Sequence, residues 1–137
     1  MLPARWSGVS LSLVADVAES ESVDALIDFA IDKMGRIDIL VNNAGIYGPK
    51  GPTDSVDWAQ WVQAINVNLL GSVLMCRAVI THMKSQGYGK IVQLSGGGST
   101  SPLPYLTSYA VSKVGIVRFI ETLAIEVAEY GIDANAI

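Results

Sequence analysis

Short runs typical of strands alternate with longer helical runs along the chain. The segment Val9–Val17 alternates apolar and polar residues, which predicts a strand. A helical stripe of apolar residues follows, and we expect it to begin at Ser20 as the N-cap and to stop at Gly35. Ile37–Val41 is a short, almost continuous apolar run, a pattern typical of parallel strands covered on both faces.

The rest of the chain continues this alternation. In chain order, the remaining predicted elements are a loop at Asn42–Gly45, a helix Val56–Lys84 capped by Asp54 or Ser55, a strand Lys90–Leu94, a loop Ser95–Tyr105, a helix capped by Thr107 or Ser108 that runs to Tyr130, and a strand Ile132–Ile137. Strands that alternate with helices predict an α/β fold with a parallel sheet. The length of 137 residues suits a single domain, 1–137.

Composition narrows the classes of protein. Half of the residues are hydrophobic and 16% are charged, which excludes a disordered chain. The net charge of −4 disfavours a nucleic-acid partner. A single cysteine, Cys76, permits no intrachain disulfide and suits a reducing compartment, so we expect a cytoplasmic protein. Because Asn66, Asn68, Ser72 and Arg77 interrupt the longest apolar stretches, we expect no membrane span.

Three aspartates repeat at helical spacing in the first predicted helix. Asp24, Asp28 and Asp32 share the face opposite its apolar stripe. No other type of ligand accompanies them, so the pattern indicates a solvated helix face, and we predict no metal site.

Tyr109 and Lys113 form the first candidate for chemistry. They are four residues apart at the start of a predicted helix and therefore share a face. A nearby ammonium favours the phenolate, as does a helix N-terminus, so the pair can supply a general acid–base. The alternative is a half-buried tyrosine anchor beside a surface lysine whose charged end reaches the solvent.

The pair is accompanied by two further motifs. Asn42-Asn43-Ala44-Gly45 follows a predicted strand, and Asn68-Leu69-Leu70-Gly71 lies on a predicted helix. With Tyr-x-x-x-Lys in this order, the chain resembles the classical short-chain dehydrogenase/reductase family, from Asp16 to Ile137. The resemblance implies a partial Rossmann-type, doubly wound parallel sheet with three α/β/α layers. It also implies hydride transfer between NAD or NADP and a small-molecule carbonyl/alcohol pair.

The resemblance also implies catalytic roles. Tyr109 would be the acid–base, and Lys113 would lower the pKa of that tyrosine and hold the nicotinamide ribose. Asn68 would support a proton-relay water, with Asn66 as the rival for this role.

The position of the family's catalytic serine is matched less directly by this chain. The family's serine lies thirteen positions before the tyrosine, where this chain has Gly96. Ser95 is the preferred candidate because glycines next to it can absorb a one-residue shift, and Ser99 is the fallback. We interpret Ser101 and Ser112 as turn caps.

The remaining roles that the resemblance implies concern the cofactor. Asp16 and Val17 would contact the adenine. Asn43, Ala44 and Gly45 would form the turn beside the adenosine ribose.

Two parts of the family's domain are absent from these 137 residues, namely the glycine-rich T-G-x-x-x-G-x-G turn and, after the strand that begins at Ile132, a Pro-Gly turn with the substrate-binding region. We therefore expect a central slice of the family's domain, in which Val9–Val17 has no neighbouring strand and NAD(P) binds weakly or not at all. The family associates through two helices, here Val56–Lys84 and Ser108–Tyr130, which implies a homodimer or homotetramer. The alternative hypothesis is an inactive fragment or pseudoenzyme that retains only this association surface.

Overall fold

Three parallel strands form the centre of the structure, which is a computed structural model describing residue 8 and residues 10–137. They are β1 (Ile39–Asn42), β2 (Gly89–Gln93) and β3 (Ile132–Ala136), and they pair in the order β1-β2-β3. Leu40 lies opposite Ile91, which in turn lies opposite Ala134. The strand predictions in this part of the chain are confirmed to within two residues at each end.

Four α-helices connect and cover these strands. They are α1 (Ser20–Met34), α2 (Trp58–Ile65), α3 (Gly71–Gln86) and α4 (Thr107–Val127). A π-helical turn, Asn66–Leu70, joins α2 to α3 without a break. The long helix predicted in this region therefore exists, but one turn of it is wider than an α-helix.

Helix α1 ends as predicted and begins differently. Gly35 adopts a left-handed conformation with φ of 78°, which lets its amide bond to the Ile31 carbonyl. Ser20 is the first helical residue rather than the N-cap, and Glu19 precedes it without a side-chain cap. The hydroxyl that stabilises this end is Ser22 Oγ, which accepts the Asp16 amide at 2.8 Å.

The predicted N-caps of the other helices are also wrong. The α2 cap is Asp57, whose carboxylate accepts the Gln60 amide at 2.7 Å, rather than Asp54 or Ser55. Leu106 occupies the N-cap of α4, and no side chain caps that helix. Thr107 Oγ1 instead accepts the Trp61 indole N–H at 3.0 Å, so tertiary contact takes the hydroxyl away from the helix end.

The strand predicted at Val9–Val17 does not form. Residues 10–16 have no regular secondary structure, and Val9 lies outside the described residues. No described strand lies beside this segment, so its backbone has no ladder partner. Val14 is fully exposed, and the side chains of Leu11 and Leu13 are about half exposed. The strand prediction is wrong here because pairing with a neighbouring strand, and not the alternating pattern alone, decides whether such a segment becomes a strand.

The core lies between one face of the sheet and the helices. Buried residues of the sheet, α1, α3 and α4 form one cluster, which includes Leu40, Ile91, Ile132, Val23, Met75, Cys76, Val79, Met83, Ile120 and Leu123. The opposite face of β1 carries Ile39 and Val41, which are 60% and 57% exposed. Among the described residues, β1 is therefore covered on one face only. The prediction that this strand is covered on both faces is wrong.

The continuous helical stretch Trp58–Gln86 is long and apolar enough to cross a membrane by length and composition alone. Core helices pass the same test. Asn66, Asn68, Ser72 and Arg77 do not make this stretch polar enough to fail that test, and the expectation of no membrane span stays a prediction. The side chains of Asn68 and Ser72 are buried and make hydrogen bonds within the fold.

Candidate active site

A cleft of about 410 Å³ opens where β1 and β2 end. Its walls come from the loop after β1, the loop after β2, the first turns of α4 and the last residue of the chain. The lining residues are Asn43, Gly45, Ile46, Tyr47, Leu94, Ser95, Gly96, Tyr109, Lys113 and Ile137. Polar side chains thus gather at the carboxyl ends of parallel strands, which is where ligands bind in open α/β sheets.

Lys113 is a buried member of this cleft. Its side chain is held with Nζ donating to the Leu94 carbonyl at 2.9 Å, and only 7% of the residue is exposed. Nζ also lies 5.5 Å from the centroid of the Tyr109 ring. Burial lowers the pKa of Lys113 because desolvation penalises the ammonium. The alternative of a lysine that reaches the solvent is therefore wrong.

The Tyr109 ring lies between an aromatic wall and a glycine backbone. The ring of Tyr47 is 5.0 Å away between centroids and tilted by 39°. A Cβ atom added at Gly96 would lie 2.9 Å from the Tyr109 hydroxyl, and Gly96 has a φ of 81°. The absence of a side chain at position 96 therefore gives this hydroxyl its space.

The candidate serines point their hydroxyls at the backbone. Ser95 lines the cleft, but its Oγ donates to the Ile137 carbonyl at 2.8 Å. Ser99 Oγ donates to the Gly96 carbonyl at 2.7 Å, and Ser99 lines a neighbouring apolar groove along α4 instead. The assignment of Ser95 as the catalytic serine stays a prediction, with Gly96 at the position that the family's spacing indicates.

Asn68 lies behind the cleft and holds one of its walls. It is 1% exposed, and its Oδ1 accepts the Ile46 amide at 2.7 Å while its Nδ2 donates to the Ile46 carbonyl at 2.8 Å. Nδ2 also donates to Ser112 Oγ at 3.0 Å. Among the described residues, the rival Asn66 has no side-chain hydrogen bond, so only Asn68 is anchored to the loop after β1.

The Asn42–Gly45 motif starts inside β1 and ends against Asn68. Asn42 belongs to the strand, and its Nδ2 donates to the Ser72 carbonyl at 3.2 Å. A Cβ atom at Gly45 would lie 3.2 Å from Asn68 Oδ1 and 3.8 Å from Lys113 Nζ. The glycine therefore permits a close approach of the backbone to the polar groups of the site.

Three predicted cofactor contacts lie outside the cleft lining, namely Asp16, Val17 and Ala44. Asp16 Oδ1 accepts the Ala18 amide at 2.9 Å, which stabilises the turn before α1. Val17 packs on α3, and a Cβ atom at Gly71 would come within 2.9 Å of Val17 Cγ2. This contact explains why the helix carries a glycine there.

Two features of the site escaped the sequence interpretation. Ser112, interpreted as a turn cap, is buried and accepts the Asn68 side chain. Ile46 and Tyr47 line the cleft as well, and their position directly after the Asn42–Gly45 motif was the available signal.

No three His, Cys, Asp or Glu side chains within residues 10–137 group as metal ligands. Asp24, Asp28 and Asp32 are exposed.

Comparison with known proteins assigns the family. Residues 4–137 match the family model described as short chain dehydrogenase. The chain belongs to the short-chain dehydrogenase family. It is 40% identical over 131 residues to 3beta-hydroxysteroid dehydrogenase 1 of Eggerthella lenta, covering 95% of this chain and 50% of that protein. It is 35% identical over 127 residues to levodione reductase of Leifsonia aquatica, covering 93% and 48%.

Solved structures of dehydrogenases share the fold. A crystal structure of NAD+-bound xylitol dehydrogenase matches with a TM-score of 0.89 and 32% identity, over 91% of this chain and 48% of that one. Gluconate 5-dehydrogenase from Burkholderia cenocepacia, in complex with NADP and tartrate, matches with a TM-score of 0.84 and 37% identity, over 88% and 47%. The predicted family and α/β fold class are confirmed, and the chain spans about half the length of the relatives it matches.

Proposed function

We propose that the whole protein is an NAD(P)-dependent oxidoreductase that interconverts a carbonyl and an alcohol. One observation carries the proposal: a buried lysine ammonium lies 5.5 Å from the ring of a cleft-lining tyrosine, at the carboxyl ends of two parallel strands. Burial of an ammonium is unfavourable unless it is used or paired, so Lys113 marks a functional cleft.

The cleft fits the nicotinamide end of such a cofactor. Lys113 Nζ donates one of its three hydrogens to the Leu94 carbonyl, which leaves two that can bond to a ribose hydroxyl. Gly45 and Gly96 place bare backbone at two walls, so a flat ring can approach closely. Lys113 would hold the nicotinamide ribose, and Asn43 would lie beside the adenosine ribose. When bound, the cofactor supplies or accepts the hydride.

The chain's own residues handle the proton. The Tyr109 hydroxyl gives a proton to the carbonyl oxygen during reduction and takes one from the alcohol during oxidation. The Lys113 charge stabilises the oxygen anion left on Tyr109. Ser95 orients the substrate oxygen after its hydroxyl turns from the Ile137 carbonyl, and Asn68 fixes the loop that forms the opposite wall and supports the proton relay.

Substitution of the acid–base tests this function. We expect turnover by the whole protein with NAD+ or NADP+ and one of the alcohols after which the reported relatives are named, such as xylitol or a 3β-hydroxysteroid. Tyr109→Phe should lower kcat at least about 100-fold, the usual contribution of acid–base catalysis, and leave NADH or NADPH binding intact. Tyr88→Phe, at the opposite end of the sheet, is the matched control. Unchanged turnover in Tyr109→Phe contradicts the assignment.

The setting of the enzyme is part of the same proposal. The protein is cytoplasmic and forms a homodimer or homotetramer through α2–α3 and α4. Val111, Val114 and Ile125 support this, because they expose apolar surface along α4 at 51%, 52% and 82%. Light scattering should give a multiple of the monomer mass, and Val114→Glu should reduce it. A monomer in both cases contradicts the proposed assembly.

One observation favours the alternative of an inactive fragment. The Ser95 hydroxyl donates to the Ile137 carbonyl and is therefore not free to meet a substrate oxygen. On this alternative, NADH and NADPH titrated into the chain bind weakly or not at all. Micromolar binding contradicts it.

A further inference from the structure

Ser112 occupies a central place between the groups of the site. It lies on α4 between Tyr109 and Lys113 and is completely buried. Its hydroxyl accepts a hydrogen bond from Asn68 Nδ2 at 3.0 Å and donates one to the Tyr109 carbonyl at 2.7 Å. The Ser112 hydroxyl therefore uses both its donor and an acceptor position. Its two partners, Asn68 and Tyr109, are both proposed to take part in the reaction.

The hydroxyl completes a network that spans three parts of the chain. Asn68 lies in the π-helical turn and binds both backbone groups of Ile46, in the loop after β1. Ser112 connects the Asn68 side-chain amide to the Tyr109 carbonyl, in the first turn of α4. Because a buried network has no water to replace a lost partner, each bond restricts the others.

Ser112 also helps to fix which way the Asn68 amide faces. Two acceptors, the Ile46 carbonyl and Ser112 Oγ, require the NH2 group on one side, and the Ile46 amide requires the oxygen on the other. Without the Ser112 acceptor, one of the two reasons for this placement of the NH2 group disappears.

A second buried serine on the same helix lacks such hydrogen bonds. Ser108 lies one turn before Ser112 and is also 0% exposed. Its Oγ has no hydrogen-bond partner among the described residues. The two side chains have the same size, helix and burial, and they differ in hydrogen bonding.

We infer that Ser112 is a positioning residue, whose hydroxyl fixes the Asn68 amide and the Tyr109 backbone relative to the loop after β1. The inference rests on the proposed function only in so far as Tyr109 is the acid–base. The hydrogen bonds themselves are independent of activity, so they can be tested in the 137-residue chain.

The test compares Ser112→Ala with Ser108→Ala in 15N-labelled chain that also carries 13C-labelled tyrosine. In Ser112→Ala, exchange of the Asn68 side-chain NH2 with solvent should accelerate at least roughly fivefold, the effect of one lost hydrogen bond, and the Tyr109 ring resonances should shift. Ser108→Ala should leave both signals as in the wild type. Ser112→Thr keeps the hydroxyl and should restore slow exchange.

The outcomes separate this inference from the proposed function. If Ser112→Ala leaves the Asn68 exchange rate and the Tyr109 resonances as Ser108→Ala does, the inference is wrong, whatever the protein catalyses. If the NMR changes occur as expected but the whole protein shows no NAD(P)-dependent turnover, the proposed function fails and the positioning role stands. If Ser112→Thr folds, as its spectrum will show, and yet exchanges as fast as Ser112→Ala, the hydroxyl is not the cause and the inference also fails.

Discussion

Replacing Asn68 by alanine removes the most extensively bonded side chain near the cleft. The substitution deletes hydrogen bonds to the Ile46 amide, the Ile46 carbonyl and Ser112 Oγ. Three bonds at a net value of about 1 kcal/mol each give a loss of about 3 kcal/mol in the free energy of unfolding. That is a large fraction of the roughly 5–15 kcal/mol of a typical domain.

Urea denaturation followed by circular dichroism measures this loss. The midpoint should fall while the slope of the transition stays constant, because the surface exposed on unfolding hardly changes. Asn66→Ala is the matched control, since Asn66 lies two residues earlier and no side-chain hydrogen bond is found for it among the described residues. We expect that variant to remain within about 1 kcal/mol of the wild type.

Asn68→Asp separates hydrogen bonding from side-chain volume. The carboxylate keeps an acceptor for the Ile46 amide but sets a second oxygen against the Ile46 carbonyl and removes the donor to Ser112. A buried carboxylate oxygen set against a carbonyl oxygen is unfavourable, so this variant should lose at least as much stability as Asn68→Ala. A loss below about 1 kcal/mol for Asn68→Ala, or an equal loss for Asn66→Ala, refutes the reasoning.

Three further predictions concern single residues. Burial raises the pKa of Cys76 to about 12, so a thiol reagent at neutral pH should label the chain only after urea unfolds it, and rapid labelling of the native chain would contradict the fold. Tyr105 has a φ of 67°, so the free energy of unfolding of Tyr105→Gly should exceed that of Tyr105→Ala by about 1 kcal/mol. Tyr105→Gly should then unfold at higher urea, and equal midpoints would show that the position is unstrained. Burial lowers the pKa of Lys113 below 10.5, so the folded chain releases this proton at lower pH than the unfolded chain, and stability should rise with pH between the two values. Lys113→Met should remove that rise in urea titrations across this window, and an unchanged slope would contradict the burial of the charge.

Periodicity and motif spacing predicted most of the fold. The alternation of strand and helix depends on short-range patterns, which explains why β1, β2, β3 and the long helices lie where expected. The N-caps at Ser20 and Thr107 failed because other contacts decided these ends. Thr107 binds the Trp61 indole instead, and sequence spacing does not reveal such a partner 46 residues away.

The candidate site was predicted as a set of residues but not as a geometry. Spacing identified Tyr109 and Lys113, since helical residues four apart share a face, and the family resemblance added Asn68. The direction of the Ser95 hydroxyl depends on where Ile137 lies, which is a long-range contact. The role of Ser112 depends on which residue of α2–α3 faces it, and that is set by the π-helical turn.

The π-helical turn at Asn66–Leu70 is a place where the chain could lose one residue without turning the helices on either side. A π turn holds one more residue than an α turn, so removing Val67 should let the stretch close into regular α-helix. Because the wider turn already accommodates the extra residue, α2 and α3 should keep their phase, and Met75 and Val79 should stay in the core. Asn68 would lose its position against Ile46. A deletion in the middle of α3, where each residue advances the helix by about 100°, should turn buried residues out of the core, so deletion scanning should find it less tolerated than the removal of Val67.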